Sequence, residues 1–181
     1  MLQVRNIEKY YGTGGNVTKA LDRVSFTVER GEFIAIMGAS GSGKTTLLNC
    51  IATIDTVSAG DILLDGVSLA DLSPRDLAQF RRENLGFVFQ DFNLLDTLTL
   101  EENIGLALTL NHQDPNGVRR RVAEVAALLG IQDVLGKFPY QVSGGQKQRA
   151  ACARAMVAGQ SLLLISAIYI SRKGKPVIKE I

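Results

Sequence analysis

Residues 33–48 leave this chain little choice of fold. Phe33-Ile34-Ala35-Ile36-Met37 is an unbroken apolar run, the pattern of a strand covered on both faces in a parallel sheet. It leads directly into Gly38-Ala39-Ser40-Gly41-Ser42-Gly43-Lys44-Thr45 and then into Thr46-Leu47-Leu48, where the pattern predicts a helix. The glycines let backbone N–H groups close around an anion, and the helix start adds the positive end of its dipole. The spacing Gly38-x4-Gly43-Lys44-Thr45 is that of a phosphate-binding loop. In such a loop Lys44 reaches the β and γ phosphates of a nucleotide and the Thr45 hydroxyl ligates Mg2+. Gly38, Ser40, Gly41, Ser42, Gly43, Lys44, Thr45 and Thr46 are therefore the first candidate site residues.

The rest of the chain fits around that unit. Val24, Phe26 and Val28 alternate with Ser25 and Thr27, the period of a strand with one buried face, and a hairpin-like opening follows from the turn at Glu29-Arg30-Gly31. Ile62-Leu63-Leu64 before Asp65-Gly66 reads as another strand ending in a tight turn. Ser73-Pro74-Arg75-Asp76 carries an N-cap, a first-position proline and an acidic third residue, so a helix begins there. Residues 85–89 predict a second buried strand, ending at Gln90. The character then turns helical. Thr99 and Glu102 form a capping box before Leu100, Ile104, Ala107 and Leu108, and Asp114-Pro115-Asn116-Gly117 reads as a turn separating that helix from one over 118–129, stopped by Gly130. In the second helix Val118, Val122, Val125 and Leu129 share an apolar face, which places Arg119-Arg120-Arg121 on a solvated one. The expected fold is an α/β core of the P-loop NTPase type, with a parallel sheet, an antiparallel β portion and an inserted helical subdomain. The boundaries read as 1–90 plus 141–181 for the nucleotide-binding core and 91–140 for the helical subdomain.

Charge narrows the partners. Twenty Lys+Arg against eighteen Asp+Glu leave a net charge of +2, too small a bias to argue for nucleic acid or an anionic lipid surface. Cys50 and Cys152 have neither metal-ligand spacing nor a nearby histidine, and read as reduced core residues in a cytoplasmic setting. Residues 1–10 do not resemble a secretion signal. The longest apolar stretch, 162–170, is interrupted by Ser166 and falls short of the ~20 residues a membrane helix needs. If the protein works at a membrane, another chain supplies the span.

A second glycine-bearing segment is decisive. In Val142-Ser143-Gly144-Gly145-Gln146 the serine can cap a helix while two glycine amides stay open to an anion. With Lys147-Gln148-Arg149 following, the segment resembles the LSGGQ signature of ABC transporter ATPases, with valine in first place. The resemblance runs over residues 1–160 and implies ATP and Mg2+ as ligands. It implies that Gln90, closing Phe87-Val88-Phe89-Gln90, is the Q-loop glutamine that touches Mg2+ and the attacking water. It places Tyr11 at the adenine-stacking aromatic. It further implies a head-to-tail homodimer in which Lys44 of one copy faces Ser143, Gly144, Gly145 and Gln146 of its partner, docked on a separate membrane permease at the inner face of the cell membrane. Within the family, residues 36–43 and 91–99 resemble the bacterial group serving macrolide export, lipoprotein release and bacitracin-type peptide resistance.

The chain departs from the pattern after Ser161-Leu162-Leu163-Leu164. The family has a Walker B aspartate and a catalytic glutamate at the end of that strand, whereas this chain has Ser166 and Ala167. Neither can hold Mg2+ through its water shell or accept a proton from the attacking water. The following D-loop and switch histidine are missing as well. His112, the single histidine, precedes the signature segment and reads as a solvated loop residue. Ile168-Tyr169-Ile170 and Pro176-Val177-Ile178 alternate like a short hairpin of the kind that closes ABC domains. An internal deletion and a frameshifted or truncated end both fit this pattern, and either leaves the core incomplete at its C-terminal side. Two functions follow as expectations: an ATPase subunit coupling hydrolysis to export or sensing, or a nucleotide-binding module deficient in hydrolysis.

Overall fold

The alternation at Val24, Phe26 and Val28 becomes the end of a long antiparallel ribbon. Strand β1 (Leu2–Tyr11) pairs with β2 (Thr18–Val28), with Leu2 opposite Val28 and Val4 opposite Phe26, and Val24, Phe26 and Val28 are half-buried while Ser25 and Thr27 are exposed. The computed structural model describes residues 1–32, 34–88, 91–165 and 177–180. On the far side of β1 lies β4 (Ala59–Leu64), which turns through Asp65 and Gly66 into β5 (Val67–Ser68), giving the sheet order β2-β1-β4-β5. Asp65 and Gly66 have φ of 49° and 85°. Two left-handed residues make the two-residue turn whose twist suits a hairpin, which is why an Asp-Gly pair stands there.

Strand β3 (Ile34–Met37) precedes the glycine loop, and helix α1 (Lys44–Ile51) follows it. The strand is parallel to β8 (Val177–Glu180), with Ile34 opposite Val177 and Met37 opposite Glu180. Parallel pairing matches the sequence expectation, but coverage on both faces does not. Ile34, Ala35 and Ile36 are only half-buried and Met37 is 51% exposed, because among the described residues β3 has a single strand neighbour. The first strand of the expected closing hairpin, at Ile168-Tyr169-Ile170, lies outside the described residues.

Helix α2 (Pro74–Asn84) starts where Ser73 and Pro74 predict, with the Asp76 N–H donating to Ser73 Oγ at 3.3 Å. It leads into β6 (Leu85–Val88), which is parallel and in register with β7 (Leu162–Ile165), Leu85 opposite Leu162 and Val88 opposite Ile165. Helix α3 (Leu100–Leu110) opens on the expected box, in which the Glu102 N–H donates to Thr99 Oγ1 at 3.3 Å and the Thr99 N–H to Glu102 Oε2 at 2.8 Å. Helix α4 (Pro115–Leu129) corrects the sequence reading. The Asp-Pro-Asn-Gly cluster is its first turn rather than a separate loop, since Asp114 caps the Gly117 N–H at 2.9 Å and Pro115 takes the first helical position, where a missing N–H costs nothing. Gly130 ends it with φ 63°. Two short 3-10 turns, Gln132–Val134 and Pro139–Gln141, carry the chain to α5 (Gly144–Met156).

Leu100, Ile104 and Leu108 of α3, Val122, Val125 and Ala126 of α4, and Ala150 and Ala153 of α5 are buried in one cluster. Arg119 and Arg120 face outward as expected, while exposed Arg121 reaches the Val157 carbonyl at 3.0 Å and Glu124 at 3.1 Å. Asn103 is fully buried. It accepts from the Leu95 N–H at 2.8 Å and donates toward the carbonyls of Leu95, Leu98 and Thr99 at 2.9–3.0 Å, tying the segment before α3 to the helix.

By contacts the chain forms two compact units, Met1–Ala78 with Tyr169–Ile181, and Gln79–Ile168. The second unit joins β6, β7 and α5 to α3 and α4. Small residues on α5 make this possible. Ala150 and Ala153 face the helices, while Ala151 and Ala155 pack with Val88 of β6. At Gly86 a Cβ would stand 2.2 Å from the Ala155 carbonyl oxygen, so only glycine lets the strand lie this close to the helix.

Candidate nucleotide site

The glycine loop is shaped by its own backbone. Gly41 and Gly43 have φ of 81° and 89°, and Gly43 is the residue on which α1 starts. A Cβ at Gly43 would lie 2.3 Å from the Ala20 carbonyl oxygen of β2, so steric space and φ both demand glycine there. Helices α3, α4 and α5 start on the side-chain caps Thr99, Asp114 and Ser143, whereas α1 starts on Gly43 with no side-chain acceptor. The first amides of α1 are thus not spent on a neighbouring side chain. Lys44 curls over the loop, donating to the carbonyls of Gly38 at 2.9 Å and Ala39 at 2.6 Å and to Ser42 Oγ at 3.2 Å. Its ammonium therefore stands over the loop backbone. Gly38, Ser40, Gly41 and Thr45 are exposed.

Tyr11, at the end of β1, is 42% exposed. Its Oη donates to Asp55 Oδ2 at 2.6 Å. Lys9 is 8% exposed, donates to Asp55 Oδ1 at 2.5 Å and to the Thr56 carbonyl at 2.6 Å, and holds its ammonium 4.9 Å from the centre of the Tyr11 ring. Charge and hydrogen bonding reinforce each other here. The hydrogen bond from Lys9 and then that from Tyr11 hold the Asp55 carboxyl below the usual range, while the bond to Asp55 raises both Lys9 and Tyr11. Beneath them Cys50 is buried, and burial pushes its thiol up to about 11. A thiol held neutral in this way is a packing group, as expected of a reduced core cysteine.

In the second unit, α5 begins on Ser143. The Gln146 N–H donates to Ser143 Oγ at 3.3 Å and the Ser143 N–H to Gln146 Oε1 at 2.9 Å, so these two polar side chains form a capping box. Gly144 and Gly145 are exposed, and no neighbouring atom lies within 4 Å of where a Cβ would stand. Gln90, Ser166 and Ala167 lie outside the described residues. The segment after Gln90 is held by Arg154 of α5, whose guanidinium donates to the carbonyls of Phe92 at 2.7 Å and Asn93 at 2.5 Å.

Sequence reasoning missed Lys9, Asp55, Asn103 and Arg154. For Lys9 there was a signal: Leu2, Val4 and Ile7 mark the buried positions of β1, and a lysine continuing that face needs a partner. Nothing local identified Asp55 as that partner, 46 residues away.

A strand, a glycine loop and a helix with an uncapped start define a P-loop protein, and the capped Ser-Gly-Gly-Gln helix start narrows the class further. The family model for ABC transporters matches residues 21–165, and the chain belongs to that family. It is 54% identical over 165 residues to the ABC transporter ATP-binding protein YxdL of Bacillus subtilis, covering 91% of this chain and 63% of that one. It is 47% identical over 163 residues to the bacitracin export ATP-binding protein BceA of Halalkalibacterium halodurans, covering 90% and 64%. The chain thus spans slightly under two thirds of the length of these relatives. Among solved structures, the dimeric ABC transporter cassette MJ0796 superposes with a TM-score of 0.83 at 36% identity, covering 91% of this chain and 73% of that one. The same cassette is known as a dimer in a post-hydrolysis state bound to ADP and Pi, with a TM-score of 0.82. Among the described residues no helix is long and apolar enough to cross a membrane.

Proposed function

We propose that this chain binds Mg-ATP as the ATP-binding component of an ABC transporter complex, paired head to tail with a second cassette and docked on a separate membrane permease at the inner face of the membrane. The observation that carries the reading is the start of α1. Its amides meet no side chain, the loop before it is exposed, and the Lys44 ammonium lies across it. That donor set fits a chain of phosphates. In this reading Gly38, Ser40, Gly41, Ser42, Gly43, Lys44 and Thr46 hold the phosphates, Thr45 and Gln90 supply hard oxygen ligands to Mg2+, and Tyr11 stacks on the base. The bound cation would neutralise phosphate charge. Ser143, Gly144, Gly145 and Gln146 offer open amides to the nucleotide of the partner cassette, and residues 91–140 act as the helical subdomain facing the permease. Likeness to a bacitracin export protein supports an export or peptide-resistance role.

The test is the affinity of the purified chain for Mg-ATP against that of Lys44→Ala, measured by calorimetry. Hydrogen bonds to a charged group contribute about 1.5–3 kcal/mol each, so the substitution is expected to weaken binding roughly 10- to 100-fold. Equal affinity of the two proteins would remove the reading.

A second reading rests on Ser166 and Ala167, which carry no charge where the family has its two acids. It makes the chain a nucleotide-binding module that binds without cleaving, acting through occupancy alone.

A further inference from the structure

The contacts around Tyr11 go beyond an aromatic ring at the edge of a site. A tyrosine 42% exposed at a strand end has two free torsions, and a stacking platform works only if its plane is set before the ligand arrives. Here the Oη is held by Asp55 Oδ2 at 2.6 Å. Asp55 is fixed in turn. Its other oxygen accepts from Lys9 at 2.5 Å and from the Thr56 N–H at 2.7 Å, and Lys9 also reaches the Thr56 carbonyl. The Lys9 ammonium stands 4.9 Å from the ring centre, so one face of the ring is engaged by a cation.

We propose that Asp55, anchored by Lys9, is a positioning residue for the nucleotide base: it fixes the plane of Tyr11 so that the adenine of ATP meets a preset ring face. This rests on the reading that Tyr11 stacks on the base of a bound nucleotide. Two features argue that the contact serves the ligand rather than the fold. Tyr11 keeps 42% of its surface exposed, and Lys9 is already satisfied by Asp55 and Thr56 without the tyrosine. Removing the hydroxyl alone therefore frees the ring while leaving the Lys9–Asp55 ion pair intact.

The experiment compares ATP with inorganic tripolyphosphate, which presents the phosphates without a base, binding each to the full chain by calorimetry in the presence of Mg2+. An aromatic stacking contact contributes about 0.5–1.5 kcal/mol, which corresponds to roughly 2- to 10-fold in affinity. Tyr11→Phe, which keeps the ring and loses the hold, is expected to weaken ATP by a measurable part of that range while tripolyphosphate binding stays at the wild-type level. Asp55→Ala is expected to do the same, and Asp55→Asn to recover part of the loss, because an amide oxygen still accepts from Oη. Tyr11→Ala tests the underlying reading: if it leaves ATP affinity unchanged, the base does not stack there and both ideas fall. If Tyr11→Ala weakens ATP but Tyr11→Phe or a folded Asp55→Ala does not, stacking stands and the positioning role is overturned. An equal loss of tripolyphosphate affinity in Tyr11→Phe overturns it too, since the defect then lies in the phosphate loop. Should Asp55→Ala fail to fold with Lys9 left unpaired, Tyr11→Phe decides alone.

Discussion

The purified chain is expected to hydrolyse ATP about 10²- to 10⁴-fold more slowly than a full-length ABC cassette measured beside it, while still binding the nucleotide. The reason lies one residue beyond a well-placed strand. Strand β7 is parallel and in register with β6, Ile165 opposite Val88, so the chain delivers the sheet position from which the family's two acids follow. The next residues are Ser166 and Ala167. A serine hydroxyl is a far weaker proton acceptor than a carboxylate, and alanine is none at all, so the attacking water has no general base from this strand end. The glycine loop and Lys44, proposed to hold the phosphates, belong to a different segment, so binding and cleavage are expected to separate. The measurement is steady-state phosphate release with Lys44→Ala as the background. Turnover within about tenfold of the full-length cassette, lost on Lys44→Ala, would show that a base is supplied by some other group.

What the sequence disclosed and what it hid follow one rule: signals carried by neighbours in the chain were legible, and those carried by distant partners were not. The glycine loop was readable because strand, loop and helix are contiguous and each residue type has a local duty. The box at Thr99 with Glu102 lies within one turn and forms as expected, and Ser143 caps its helix as expected, with Gln146 closing a box that was not expected. Asp114-Pro115-Asn116-Gly117 misled because the same residue types make turns and helix starts. Only the direction of the Asp114 side chain, onto the Gly117 N–H, tells them apart. The apolar run before the loop promised a strand buried on both faces, yet burial depends on neighbouring strands, and β3 has β8 alone among the described residues. Asn103 sits in an apolar helix face without any local mark that it closes four hydrogen bonds to the preceding segment. The Lys9, Asp55 and Tyr11 cluster is the extreme case. It joins β1 to Asp55, more than forty positions on, so the end of the site proposed to hold the base was visible only as a lone tyrosine, whereas the glycine loop was visible whole.

Substituting the two left-handed glycines of the loop is expected to give unequal losses, Gly43→Val cutting ATP affinity by about 10²-fold or more and Gly41→Ala by roughly 10-fold. Their backbones are alike, with φ of 89° and 81°, so strain at φ is about 1–2 kcal/mol for alanine at either site and larger for β-branched valine. Space adds to the difference. A Cβ at Gly41 meets nothing within 4 Å, but at Gly43 it lies 2.3 Å from the Ala20 carbonyl oxygen and 3.1 Å from a methyl group of Leu21. The carbonyl is backbone of β2, bound into the ribbon with β1, and cannot rotate away as a side-chain end could. Relief must come from the loop, and since Gly43 is the residue on which α1 starts, the displacement carries Lys44 and Thr45 with it. Misplacement of about 1 Å at a binding constellation costs on the order of 10²-fold, larger than strain alone. Calorimetric titration with Mg-ATP reads both variants, and circular dichroism with a thermal melt confirms that each is folded. If Gly41→Ala and Gly43→Val lose affinity equally, conformation alone governs the loop. If Gly43→Val binds ATP like the wild type, the close approach of β2 does not set the position of α1.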